Sequence, residues 1–355
     1  MKKLYKLSVK LFYIIPLLSI SNYTFSQGCI AVRSMSTANG NPSGSAFMKA
    51  GDFQFSGNFR KLHSYKHFVG TEEQPHRVEQ KTEVINDSYN FDFGLTYAVS
   101  SRLNVTVNVP LSYNDRSSLY EHYGNGSPAG SNPRFHTQSK GVGDMRFSAS
   151  YWILDPVKIH KGNFAIGVGI KAPTGDANVL DEFHRLDRNG KEYIQVKAVD
   201  QSMQLGDSGW GQSIDVQGYQ SLFKKATLYY NGFYMFSPKE LNKATNFSVP
   251  DQFGARLGMT YVLFPKKNIG VSLGGRLEGL PAVDAIGGSL GSRRPGYIVS
   301  VEPGIAWSGH HSSFLVTVPY AVVRNRIDTW TVTGFREGDA AFADYLISAS
   351  YSFRF

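Results

Sequence analysis

GVGDMRFSASYWILDPVKIHKGNFAIGVGIKAPTGD, residues Gly141–Asp176, holds two runs of alternating apolar and polar residues around a short turn. At a period of two, Met145, Phe147, Ala149, Tyr151 and Ile153 fall on one side and Asp144, Arg146, Ser148 and Ser150 on the other. After LDPVKIHKG the beat resumes, with Phe164, Ile166, Val168 and Ile170 opposed by Ala165, Gly167, Gly169 and Lys171. Successive side chains of a strand point to opposite faces, so this is a β-hairpin with one apolar face and one polar or minimal face. A soluble sandwich would alternate in the same way. Recurrence along the chain separates the two classes.

The beat recurs from Asp52 to Phe355. Phe53, Phe55, Gly57 and Phe59 oppose Gln54, Ser56, Asn58 and Arg60; at the far end Tyr345, Ile347, Ala349, Tyr351, Phe353 and Phe355 oppose Asp344, Ser348, Ser350, Ser352 and Arg354. The pattern predicts about twelve strands of roughly ten residues, the length a tilted strand needs to cross hydrocarbon. Short connections near residues 100, 158, 224, 266 and 310 alternate with long ones near 70, 127, 190, 243, 288 and 332. Outer-membrane barrels alternate this way, whereas a sandwich has no reason to. The expected fold is all-β, a transmembrane antiparallel up-and-down barrel over residues 51–355. Tyr97, Tyr113, Tyr151, Trp307, Tyr320 and Tyr351 fall towards strand ends on the apolar side, as interfacial aromatics do.

The rest of the composition fits that class. Of 355 residues, 20 are Tyr, 24 Phe and 36 Gly, and past the first thirty no apolar run is long enough for a helical span. MKKLYKLSVK followed by LFYIIPLLSI and the small residues of SNYTFSQ reads as a secretory signal over 1–26, cleaved before Gln27. Residues 27–50 lack periodicity and are expected to be an irregular segment, either a lumen plug or a periplasmic arm. Cys29 is the single cysteine, which excludes an intrachain disulfide; acylation there would need an aliphatic residue that Phe25-Ser26-Gln27-Gly28 lacks. The net charge of +9 includes four leader lysines, and no basic run indicates nucleic acid.

The most specific constellation is the set of charges expected to face the lumen: Asp92, Asp144, Arg146, Lys171, Asp215, Arg256, Arg276, Glu278 and Glu302. Two readings stand: a salt-bridged interior that closes a narrow barrel, or the wall of a polar conduit. Inward glycines (Gly167, Gly169, Gly254, Gly258 and Gly274) either relieve curvature or leave room for a plug. His311-Ser312-Ser313 and His63-Ser64 are poor nucleophile–base candidates, and no catalytic or cofactor set emerges. His63, His67 and His76 beside Glu72, Glu73 and Glu79 read as solvated loop residues rather than metal ligands. GGSLGSRR at 287–294 lacks the following helix of a phosphate cradle.

Gly141, Gly143, Asp144, Gly167, Gly169, Pro173, Thr174 and Gly175, with LGDSGWGQSIDVQGYQ at 205–220, resemble the meta-pathway phenol-degradation family of outer-membrane proteins. The likeness is best over residues 140–236. It implies a barrel in the bacterial outer membrane that moves small hydrophobic or aromatic molecules, and it supplies no site residues. The terminal strand, with Tyr351, Phe353 and Phe355, resembles the C-terminal signal read by the barrel-assembly machinery. The sequence thus predicts a monomeric channel in outer-membrane lipid without covalent chemistry. The alternatives are a non-transporting barrel whose loops bind a surface partner and, more remotely, a lipid esterase.

Overall fold

The computed structural model describes residues 48–119, 133–156, 158–331 and 334–355. The leader at 1–26 and residues 27–47 of the N-terminal segment lie outside them. Twelve staves form one antiparallel sheet closed on itself. They are β1 Phe53–Ser64, β2 Ile85–Ala98, β3 Leu103–Leu119, β4 in two pieces (Arg134–Val142 and Arg146–Trp152), β5 Gly162–Lys171 and β6 Gly211–Phe223. The second half comprises β7 Ala226–Phe236, β8 Gln252–Phe264, β9 Ile269–Leu280, β10 Gly296–Ser308, β11 in two pieces (Ser312–Thr317 and Tyr320–Arg326) and β12 Leu346–Arg354. Each stave pairs with its sequence neighbours, and β12 returns to β1 with Gln54 opposite Arg354 and Leu62 opposite Leu346. Closure gives every stave a partner on both sides for at least part of its length; only the pieces Arg134–Val142 and Tyr320–Arg326, beyond the two breaks, form a ladder on one side alone. The connections 99–102, 153–161, 224–225, 265–268 and 309–311 gather at one end and the long loops at the other, the predicted alternation.

The exterior is apolar because one residue in two is. Phe91, Leu95, Phe147, Ile166, Val168, Ile214, Leu257, Leu273, Ile305 and Val322 are all exposed, as are the six strand-end aromatics. Register fixes where this belt stops. Phe59, Phe91, Leu111 and Val142 stand in one row across β1–β4; two residues on, Lys61, Tyr89, Tyr113 and Lys140 stand in the next; His63, Asp87, Asp115 and Gln138 follow. The exterior therefore passes from apolar through amphipathic to polar in two rows. From Phe53 to Lys61, eight steps of about 3.3 Å at a tilt of about 40° give a belt about 20 Å high.

Two staves are interrupted, each opposite a proline. Between its pieces β4 skips Gly143–Met145, where β3 carries Pro110; the Gly143 N–H donates to the Pro110 carbonyl at 2.8 Å. Between its pieces β11 skips Val318 and Pro319, where β10 carries Pro303; the Val318 N–H donates to the Pro303 carbonyl at 3.0 Å. Proline has no N–H to give a ladder, so it survives in mid-strand where the neighbour's pairing already lapses.

The long connection near residue 127, whose polar sequence reads as a loop from Asn114 to Lys140, is shorter than that. β3 continues to Leu119 and pairs with Arg134–Val142, with Asn114 opposite Ser139. Beyond the belt both faces of the ladder are polar, so the hydrophobic beat vanishes while the hydrogen bonding goes on. The loop 172–210 likewise carries a hairpin of its own, Leu180–Leu186 with Glu192–Ala198.

Candidate functional site

Inward side chains sort the bore into three strata. Towards the short-turn end, Gln54, Ser56, Asn58, Thr96, Asn104, Thr106, Ser150, Gln217, Ser313 and Ser352 line a cavity of about 130 Å³. These are hydroxyls and carboxamides from alternate positions of seven staves, a polar chamber whose lining also includes Asp215 of β6. Above it lies a layer of charge, and above that, at the long-loop end, an apolar compartment.

The charged layer is paired across the bore. Glu302 of β10 is wholly enclosed and accepts from Arg256 of β8 (2.8 and 2.9 Å) and from Arg276 of β9 (2.9 and 3.4 Å). Arg60 of β1 reaches Glu278 of β9 at 3.5 Å, spanning three intervening staves. On the opposite wall Arg146 pairs with Asp215, and Lys171 pairs with Asp144 (3.1 Å) and with Asp207. Asp92 accepts from the Asn108 carboxamide at 3.5 Å. All nine charges named from sequence are thus drawn inside. Arg60, Asp207 and the loop carboxylate Asp200 join them, and only Arg60 had a sequence signal, its place on the polar side of the first strand. Inward glycines make room for these side chains: a Cβ on Gly169 would lie 2.6 Å from the Arg146 guanidinium, and one on Gly258 2.5 Å from the Tyr229 hydroxyl. The space they leave is thus taken by the barrel's own side chains, a use distinct from the two expected.

The apolar compartment is formed by Phe233 and Met235 of β7, Leu280 of β9, Ile298 of β10 and Ala321 of β11. It is filled from above. The strand Lys66–Val69 pairs with Asp339–Phe342 and with Glu72–Glu73, and this small sheet sets Phe68 and Phe342 against the wall residues. The two rings meet edge to face with centroids 5.5 Å apart, and Phe342 is fully buried. Each buried ring contributes about 1.5–3 kcal/mol towards holding this small sheet against the wall.

Loop-to-loop contacts hold the rest of the cap. Burial pushes the Asp200 carboxyl up, but the guanidiniums of Arg116 and Arg294 outweigh it and hold the group well below the usual carboxylate range. Arg293, from the glycine-rich segment, is enclosed against Asp284. His67, expected among the solvated loop histidines, is corrected: its side chain has no exposure. Its Nδ1 lies 3.2 Å from Asp339 and its Nε2 accepts the Val84 N–H at 2.9 Å. A hydrophobic neighbour, Phe68, draws it inward, which reading the loop as polar did not register. By contrast His63 is half exposed beside Asp87.

At the gap in β4, Gly143, Asp144, Thr174 and Gly175, four of the residues quoted for the family resemblance, come together. Thr174 bridges the break, accepting the Met145 N–H (2.8 Å) and donating to the Gly143 carbonyl (3.0 Å). The Asp144 carboxylate accepts the N–H groups of Gly175 (2.9 Å) and Asp207 (3.3 Å) besides the Lys171 ammonium. A Cβ on Gly175 would stand 2.7 Å from the Leu205 carbonyl oxygen. The segments 143–145, 174–175 and 205–207 therefore form a clasp over the interrupted stave.

No family model matches the chain, and no curated protein matches it either. Among solved structures it resembles the COG4313 outer membrane channel from Pseudomonas putida F1, at 13% identity over 89% of this chain and 100% of that chain, with a TM-score of 0.56. That likeness shows the fold. The monoaromatic hydrocarbon channel CymD (12% identity, 89% of this chain and 91% of its own, TM-score 0.44) and the P. putida toluene transporter TodX (11%, 93% and 98%, 0.44) are too distant to carry an argument. The finer assignment to the phenol-degradation family has no family match behind it.

Of the nucleophile candidates, the Ser312 hydroxyl lies 3.4 Å from that of Tyr351, Ser313 2.7 Å from Ser352, and Ser64 accepts from Asn86 at 3.1 Å.

Proposed function

We propose that this chain is an outer-membrane channel for small apolar molecules about the size of one aromatic ring, seen in a shut state. One observation carries the reading: an apolar compartment at the mouth of a bore that is otherwise polar and charged. A closed barrel with a greasy belt and polar rims suits lipid, where every backbone group must be satisfied within the sheet. Inside such a barrel, apolar side chains have no structural need to gather at the mouth. Here they do, and the chain's own phenyl rings occupy the space. A neutral ring could exchange with Phe68 or Phe342 at little cost in buried surface, whereas a charged solute would lose its hydration there. The barrel it resembles is described as an outer membrane channel, which favours the same use.

Flux into proteoliposomes tests the reading. Toluene-sized solutes are expected to equilibrate faster than a sugar of equal volume, and the Phe68→Ala/Phe342→Ala double variant to widen the difference. Equal, protein-independent rates for both solutes would overturn it. A second reading, a non-transporting barrel that binds a surface partner, draws on the hairpin strand Glu192–Ala198, whose Ile194 and Val196 are more than half exposed. It predicts no protein-dependent flux in either variant. Two further assignments belong to the same reading. Tyr351, Phe353 and Phe355, exposed at the terminal strand, are a contact for the assembly machinery, and the plug-or-arm reading of the N-terminal segment falls on residues 27–47, outside the described ones.

A further inference from the structure

We propose that His67 is an acid-released latch on the cap, so that the mouth is shut at neutral pH and opens as the surroundings acidify. The geometry of its two nitrogens carries this. A backbone N–H can only donate, so Nε2, 2.9 Å from the Val84 nitrogen, must be unprotonated in the shut form. The single proton of the neutral ring is on Nδ1, directed at Asp339 Oδ2 at 3.2 Å. A second proton on Nε2 would set N–H against N–H in a place that admits no water, since the side chain has no exposure.

The surrounding charges do not rescue that cation. The one carboxylate facing it is Asp339, and the same Oδ2 already accepts from Arg77 Nη1 at 3.2 Å. Arg77, from the short helix Pro75–Glu79, and Arg116 of β3 both add repulsion. From β11, Arg324 is engaged by Asp344, and Arg326 by the carbonyls of Pro295 and Ile327. On its own strand Lys66 pairs with Asp344. Burial therefore holds the imidazole below its ordinary value, and Asp339, which pulls the other way, does not win.

The sign follows. The shut state keeps His67 neutral and the released state lets it protonate, so closure is fully supported above the ordinary imidazole value of about 6.5 and weakens below it. Each further pH unit shifts the shut-to-open ratio about tenfold towards open, until the shut state can itself take the proton. His67 adjoins Phe68, and its strand pairs with Asp339–Phe342, so releasing the latch withdraws both rings from the compartment. This is regulation of the mouth site and rests on the channel reading for its purpose, though not for its test.

Amide hydrogen exchange on the purified full-length protein between pH 8 and pH 5 reads the cap directly, with β1 and β2 in the same sample correcting for the intrinsic pH dependence. Residues 66–69 and 339–342 are expected to lose protection by at least tenfold relative to the wall below pH 6. In His67→Gln, whose carboxamide can donate to Asp339 and accept from Val84 without titrating, protection is expected to persist at pH 5. Exchange of the His67 Cε1 hydrogen in the wild type supplies the imidazole titration without any substitution, and it decides the matter should the variant fail to fold. Protection that holds at pH 5 in the wild type, or a His67 that titrates normally while the cap stays shut, overturns the latch. A cap that opens with no aromatic flux at any pH would leave the latch standing and sink the channel reading instead.

Discussion

Replacing Glu302 by Ala should be among the most damaging single changes in the barrel. The carboxylate is wholly enclosed and accepts four hydrogen bonds from two guanidiniums, so its loss strands two cations away from water. Breaking a buried pair from one side costs about 3–5 kcal/mol. Partial compensation remains, because Arg276 keeps Glu278 at 3.7 Å and Arg256 lies 5.6 Å above the Tyr229 ring. The expected loss is therefore about 4 kcal/mol rather than twice that. Urea unfolding of the protein in detergent, followed by tryptophan fluorescence, measures it as a shift of midpoint at constant slope. A triple change, Glu302→Leu with Arg256→Met and Arg276→Met, should recover most of the loss, since apolar groups of similar volume replace buried ion pairs without penalty. A Glu302→Ala protein within about 1 kcal/mol of wild type would mean that the carboxylate is not enclosed, because that is the worth of a solvated pair.

The other predictions concern the cap and the clasp. Phe342→Ala should cost about 3–5 kcal/mol of cap stability, read as local loss of amide protection at 66–69 and 339–342 with the wall unchanged. Thr174→Val removes the hydroxyl that bridges the gap in β4 and leaves the Met145 N–H without its acceptor, about 1–3 kcal/mol, visible as faster exchange at 143–145. Asp200, held low by Arg116 and Arg294, supports the cap at any pH above the ordinary carboxylate value and ceases to do so only as pH falls below about 4. Asp200→Asn should therefore loosen the loop 172–210 at pH 7 and leave the release between pH 6 and 5 in place.

The barrel was legible because outward and bore-facing positions alternate without exception over long runs: Phe164 to Ile170 gave one stave, Phe53 to Phe59 another. Stave count and connection lengths followed. Sequence lost the chain where both faces become polar, as in Asn114–Leu119, since a ladder without an apolar side has no periodic signal. The inward charges could be named by parity, but their partners could not, because Arg60 and Glu278 are brought together only by closure of the whole sheet. Phe68 and Phe342 were missed for the opposite reason: single aromatics in polar loops carry no pattern. Pro110 and Pro303 stood in view as strand residues without an N–H, and each marks the break in the neighbouring stave.

The Arg60–Glu278 bridge has a consequence for assembly. Its members sit on the first and ninth staves, so they meet only when the sheet closes; until then Glu278 has Arg276 of its own stave, at 3.7 Å, and Arg60 lacks this carboxylate. If the barrel stands in lipid, as proposed, the cost of an unpaired arginine there favours a nascent sheet that curls up before, or as, it enters. The seam where the terminal stave meets the first is then also the step that pairs Arg60 with Glu278.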